Sequence, residues 1–137
     1  MLNSRRPSAG FTLLEVMVTL VVVSTGLLGF AGLLNKSIAS NRQAYYRSQA
    51  TVLANDVVER MRVNRVAALA GSYNLAVDSD PSSGSVAGDD LVSWIELVSD
   101  ALPAGDGAVS TDGSGNVTVN IQWFDGKQHS FATQTTI

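Results

Sequence analysis

A chain of 137 residues with a formal charge of -3 leaves room for one modest domain once a membrane segment is set aside. It has no cysteine, which excludes disulfides and thiolate metal sites, and its one histidine, His129, removes most imidazole chemistry. The charge is unevenly spread. Residues 35–70 carry six basic side chains against Asp56 and Glu59, whereas residues 71–137 carry nine acidic ones against Lys127 alone. Such polarity suits orientation against other chains.

In chain order, residues 11–34 come first: 24 positions with Glu15 as the single charge and no proline. As a helix they would extend roughly 36 Å, enough to cross a hydrocarbon core of about 30 Å. The run is too long for the apolar region of a secretory signal peptide, about 7 to 15 residues, and the acid is out of place in one. Arg5 and Arg6 precede it, which puts the amino terminus in the cytoplasm and the remainder outside. A lone carboxylate in lipid is costly unless it is neutralised, protonated or kept near the interface, so Glu15 calls for a reason. Gly26, Gly29 and Gly32 recur every three residues, and small residues permit close helix approach in membranes.

The stretch GFTLLE at residues 10–15, set against this apolar run, resembles the class III signal of type IV prepilins and type II secretion pseudopilins. The resemblance implies that a prepilin peptidase cuts after Gly10, that residues 1–10 are a leader, and that Phe11 becomes an N-methylated amino terminus. It also implies a role for Glu15, whose carboxylate would meet the amino terminus of a neighbouring subunit and dock each new copy in register.

No proline or glycine interrupts residues 35–70, where Leu53, Val57, Met61 and Ala68 fall on one helical stripe with Ala50 and Ala54 beside them. Asp56 with Arg60 and Glu59 with Arg62 are spaced as helical ion pairs with the acid toward the amino end, and Gly71 suits the C-cap region. With the apolar segment this predicts a nearly continuous helix, Arg65 included. The spine arginines do not read as a nucleic-acid surface, because Arg60 and Arg62 have acidic neighbours and the acidic head would repel phosphates.

Residues 72–88 read as a polar surface loop. Asp78 and Asp80 within it lack the glycine and distal glutamate of an EF-hand. Leu91, Trp94, Ile95, Val98 and Leu102 then predict a short amphipathic helix, with Asp89 or Asp90 as N-cap and Pro103 as terminator. In VTVNIQWF, Val117, Val119, Ile121 and Trp123 alternate with polar residues, the pattern of a strand with one buried face. STDGSGN before it and DGK after it are hairpin punctuation, and HSFATQTTI supplies a third strand. Trp94, Ile95 and Val98 are expected to pack on Val119, Ile121 and Trp123 and on the spine around Val57 and Met61. His129 falls beside a turn as a surface residue, and no Ser/His/Asp spacing supports a triad. No catalytic, cofactor or metal site is expected.

These elements and the resemblance together imply an α+β, type IV pilin-like fold, in which a long N-terminal helix packs on a small C-terminal antiparallel meander with one short extra helix. Its segments are the leader 1–10, the membrane and assembly half 11–34, the amphipathic half 35–70 and the head 71–137. Three further stretches, VVSTGLLGFAGL, ANDVVERMRVNR and GSGNVTVNIQWFDG with SFATQTTI, resemble minor pilins of the type IV pilus modification (PilV) type. That likeness implies a non-catalytic minor pilin in the inner membrane of a Gram-negative cell, with a periplasmic head that later reaches the surface in the pilus. Its partners would be other minor pilins, the major pilin, the prepilin peptidase and the assembly platform. It would help prime assembly, in a tip complex. Two alternatives are a minor pseudopilin of a type II secretion system and a membrane-anchored adhesive or binding module.

Overall fold

The computed structural model describes Gly10 and residues 12–137. Along the chain run α1 (Leu13–Val63), α2 (Arg65–Leu69), α3 (Val86–Ala101), β1 (Asp106–Thr111), β2 (Asn116–Phe124) and β3 (Gln128–Thr136). The chain divides into two compact units, with the boundary between Asn41 and Arg42.

In the first unit the chain is helical from Leu13 onward, and every described residue is exposed. Apolar side chains surround this part of the helix on all sides, so it has no single face to bury, which marks a helix built for an apolar surrounding. Its hydroxyls are satisfied internally: Thr19 donates to the Glu15 carbonyl at 2.7 Å, Ser24 to Leu20 at 2.6 Å and Thr25 to Val21 at 2.9 Å. That removes the penalty of bringing them into lipid unpaired.

The second unit is the head with its spine. From the spine, Ala50, Leu53, Ala54, Val57 and Met61 are buried as their spacing predicts, with Ala68 in α2, and Val58 is buried beside them. Asp56 and Arg60 pair at 2.9 Å, and Glu59 pairs with Arg62. The helix does not continue unbroken through Arg65. Asn64, at φ -109° and ψ 49°, interrupts it before the single turn of α2. Its amide Nδ2 donates to the Tyr73 hydroxyl at 3.4 Å. Gly71 follows α2 at φ +80°, where a left-handed residue lets Gly71 and Ser72 return their N–H groups to the carbonyls of Ala68 and Ala67.

Ser85, rather than Asp89 or Asp90, caps α3: its hydroxyl accepts from the Gly88 N–H at 3.0 Å. Asp89, one turn inside, accepts from the Gly84 N–H at 3.1 Å and steadies the same entry. Helix α3 ends at Ala101, and beyond it the Pro103 carbonyl accepts from the Phe124 N–H at 2.9 Å, tying the helix exit to β2.

The sheet is antiparallel in the order β1-β2-β3, with Val109 opposite Val119 and Ile121 opposite Phe131. The first strand, Asp106–Thr111, precedes the STDGSGN turn, where a third strand at HSFATQTTI implies one; its bounds were not legible, because its apolar residues are only Ala108 and Val109. Buried β2 residues Val117, Val119, Ile121 and Trp123 share one core with the spine residues, with Trp94 and Val98 of α3 and with Leu102 just beyond it. Ile95 lies at its margin, half-buried. Gly107 is required at its place, since a Cβ there would run into the Trp94 ring.

Candidate functional site

At the start of α1 the residues singled out by the sequence are close together in the chain but differ in what surrounds them. Phe11 and residues 1–9 lie outside the described residues. Gly10 is exposed, and a Cβ built on it meets nothing within 4 Å, so its own fold does not demand glycine. Thr12 precedes the helix: its Oγ1 accepts from the Glu15 N–H at 3.3 Å, and its carbonyl accepts from Glu15 at 3.0 Å and Val16 at 3.3 Å. Thr12 and Glu15 therefore stand at the first and last positions of the S/T-x-x-E helix-start pattern. An acid in the first turn also interacts favourably with the helix dipole. The Glu15 carboxylate is exposed and meets no cation of its own chain among the described residues.

The helix that follows contains an 18-residue window of mean hydropathy 2.2, none of it buried. Leu13, Leu14, Val18, Val21, Leu28 and Phe30 are among its exposed apolar residues. Gly26, Gly29 and Gly32 have nothing near their missing side chains. Among the described residues, neither the acid nor the small residues meet a partner within the unit they belong to.

The head, by contrast, pairs many of its polar groups internally, with Asn120 Oδ1 and Trp123 Nε1 buried without a partner. Trp94 is fully buried and donates from Nε1 to the Leu53 carbonyl at 2.9 Å, fixing α3 to the spine. Arg42 holds Asp125 of the β2–β3 turn at 2.9 Å. One polar cluster had no signal in the sequence: Tyr73, buried within the stretch read as loop, donates from its hydroxyl to Asp90, which lies 3.6 Å from Arg60. Burial, followed by the bond to Asp90, raises the Tyr73 pKa above its ordinary 10.0. Asp90 is thus the partner of a tyrosine and not a helix cap. Asp78 sits at φ +58° and gives its N–H to Asp106 at 2.7 Å, the bonding of a turn residue. Asp112 organises the β1–β2 turn through the Asn116 amide and the Ser114 N–H, which together hold its carboxyl below 3.8. His129 is half-buried and stacks on Trp123 with ring centroids 5.5 Å apart, so it is less a surface residue than expected.

An apolar helix with an acid in its first turn and no partners of its own, leading into a self-sufficient head, is the construction of a subunit made to be assembled. Comparison with known families agrees: residues 5–31 match the prokaryotic N-terminal methylation motif, and residues 32–89 match the family of type IV pilin Tt1218. The chain is a structural, non-catalytic subunit of the type IV pilin family, carrying the N-terminal methylation motif. Searches of curated proteins and of solved structures gave no match. The motif implies processing by a prepilin peptidase and entry into a pilus.

Proposed function

We propose that the chain is a minor pilin of the PilV type, inserted in the inner membrane and drawn into a complex with other minor pilins that primes filament assembly at the tip. The observation that carries this reading is Glu15: an acid in the first helical turn of a lipid-compatible segment, with no cation of its own chain within reach among the described residues. In low dielectric an unpaired charge is expensive on either partner, so a neighbour's amino terminus and Glu15 stabilise each other only once the subunits meet. Cleavage after Gly10 exposes Phe11 as that kind of amino terminus. The likeness of residues in α1 and β2 to minor pilins supports the low-copy role over that of the major subunit.

The test compares Glu15→Ala, Glu15→Asp and wild type in sheared pilus fractions and in co-purified minor pilin complexes, at matched membrane levels. The alanine variant is expected to insert and to be cleaved, but to be lost from both fractions, and the aspartate to fall between. Entry of Glu15→Ala at the wild-type level would end the docking role. Recovery of the wild-type chain in a secretion pseudopilus instead of pili would replace the minor pilin by a minor pseudopilin. Mass spectrometry of Gly10→Val checks processing separately, since retention of residues 1–10 is expected there.

A further inference from the structure

The two edges of the sheet are finished differently. On antiparallel strands, alternate residues turn their N–H and C=O groups toward one neighbour or the other. The bond from Ile137 N–H to Gly115 O, 2.9 Å, continues the β2–β3 register and sets the parity: odd-numbered residues of β3 bond β2, and the even-numbered ones turn outward. The bond from Asp112 N–H to Asn116 O, 3.2 Å, sets it likewise for β1, whose odd-numbered residues turn outward.

The outer edge of β1 is closed at each of its outward N–H groups and at the Val109 carbonyl. Val109 exchanges both its bonds with Leu75, at 2.8 and 2.9 Å, Thr111 N–H is taken by Asn74 Oδ1 at 2.8 Å, and Gly107 N–H by Asp106 Oδ1 at 2.8 Å. The outer edge of β3 is open at Gln128, Ser130, Ala132 and Gln134. Among the described residues only Arg62 reaches it, at the Thr136 carbonyl, 3.2 Å. Exposed strands are ordinarily protected by charge, proline, a bulge or shortness. β3 has nine residues in one-to-one register with β2 and contains no Asp, Glu, Lys, Arg, Pro or Gly.

We infer that the open edge of β3 pairs with β3 of a second copy of this chain, antiparallel and centred on Ala132, to make one continuous sheet across two heads. Outward groups occur only at even positions, so even residues meet even ones, and the register centred on Ala132 pairs the whole length of both strands: Ala132 meets Ala132, Ser130 meets Gln134, and Gln128 meets Thr136. This register also keeps outer face with outer face and inner with inner, which a shift by one residue would not. Half-buried Phe131 would then lie opposite Thr133 of the other copy. Charge is complementary at the ends, where Lys127, exposed and without an ion pair among the described residues, comes with the turn of one copy toward Glu59 beside Arg62 and Thr136 of the other. The interface is isologous, so one patch serves both sides. It stands apart from the minor pilin reading and would hold for any pilin-family role.

The chain lacks cysteine, which makes crosslinking unambiguous. The full-length Ala132→Cys variant in native membranes, mildly oxidised, should form a covalent homodimer, whereas Ala108→Cys on β1, on the same sheet face, should not. Cα atoms of paired strands lie within disulfide range. Adding Gln134→Pro to Ala132→Cys removes an outward donor without touching the β2 ladder and should abolish the dimer, with near-UV circular dichroism confirming the fold. If proline perturbs the fold, register decides: Ser130→Cys co-expressed with Gln134→Cys should crosslink more than Ser130→Cys with itself. Equal dimer from Ala132→Cys and Ala108→Cys, survival of the dimer in a folded proline variant, loss of the 130-to-134 preference, or crosslinking only to a different protein would each overturn the pairing of two copies.

Discussion

The portions of α1 on either side of Asn41 share one backbone geometry but depend on different surroundings. Before that point every described residue is exposed and apolar side chains point in all directions; after it, six residues on one stripe disappear into a core of nineteen buried apolar residues. A regular helix is therefore no sign of where its stability comes from. In the head the chain supplies its own partners, and in the apolar segment the membrane or other subunits must do so.

The largest test of that contrast is the tryptophan pair. Trp123→Ala in the full chain should destabilise the head by about 3 to 5 kcal/mol, a large fraction of the stability of a small domain, read by thermal melting in detergent. The phenylalanine variants sharpen it: Trp94→Phe loses the bond to the Leu53 carbonyl, a net effect of about 1 kcal/mol beyond packing. Trp123→Phe should be milder, because the buried Nε1 of Trp123 has no partner to lose. Equal losses would mean that the Trp94 bond contributes nothing.

Next in size, Gly107→Val forces a side chain into the Trp94 ring and should cost about 1 to 3 kcal/mol; a melting temperature like wild type would show that β1 and α3 can separate freely. Tyr73→Phe leaves Asp90 without its hydroxyl donor and should cost about 1 to 3 kcal/mol. Because the folded state holds the Tyr73 proton more tightly than the unfolded one, this contribution is complete below 10.0 and fades as pH rises through the elevated folded value. An alkaline melting series should show that loss in wild type and not in Tyr73→Phe. The smallest effect is expected from Glu15→Ala, which should leave head melting within about 0.5 kcal/mol. A larger change would mean that the two units are coupled in stability.

Much of this arrangement was legible in the sequence wherever a side chain's fate depends on its near neighbours. The buried stripe from Ala50 to Met61, the alternation of β2, the two spine ion pairs and the left-handed Gly71 all follow from spacing and local chemistry. What was not legible depends on residues far apart in the chain. Tyr73 sits alone in a polar stretch and shows no periodicity, and only the fold brings it to Asp90, seventeen positions on. Asn64, where the helix breaks, bonds that same tyrosine, and no proline or glycine near it in the sequence stops the helix. Ser85 caps α3, and Gly88, three residues on, is held so near the Ser82 carbonyl that a side chain there would collide with it, a close approach visible only in the fold. At the amino end, the motif marked Gly10 and Glu15, and the structure adds Thr12 as the residue on which the helix starts.

Both tryptophans of the chain lie in the head, Trp94 at 0% and Trp123 at 1% exposure, and none lies in the apolar segment. Intrinsic indole emission therefore reports on the head alone, even with the chain embedded in lipid or detergent. Its wavelength should be short while both rings are dry and should move to the red only when water reaches them. Excitation at the indole band can thus follow the head through extraction, complex formation and filament entry without any attached label.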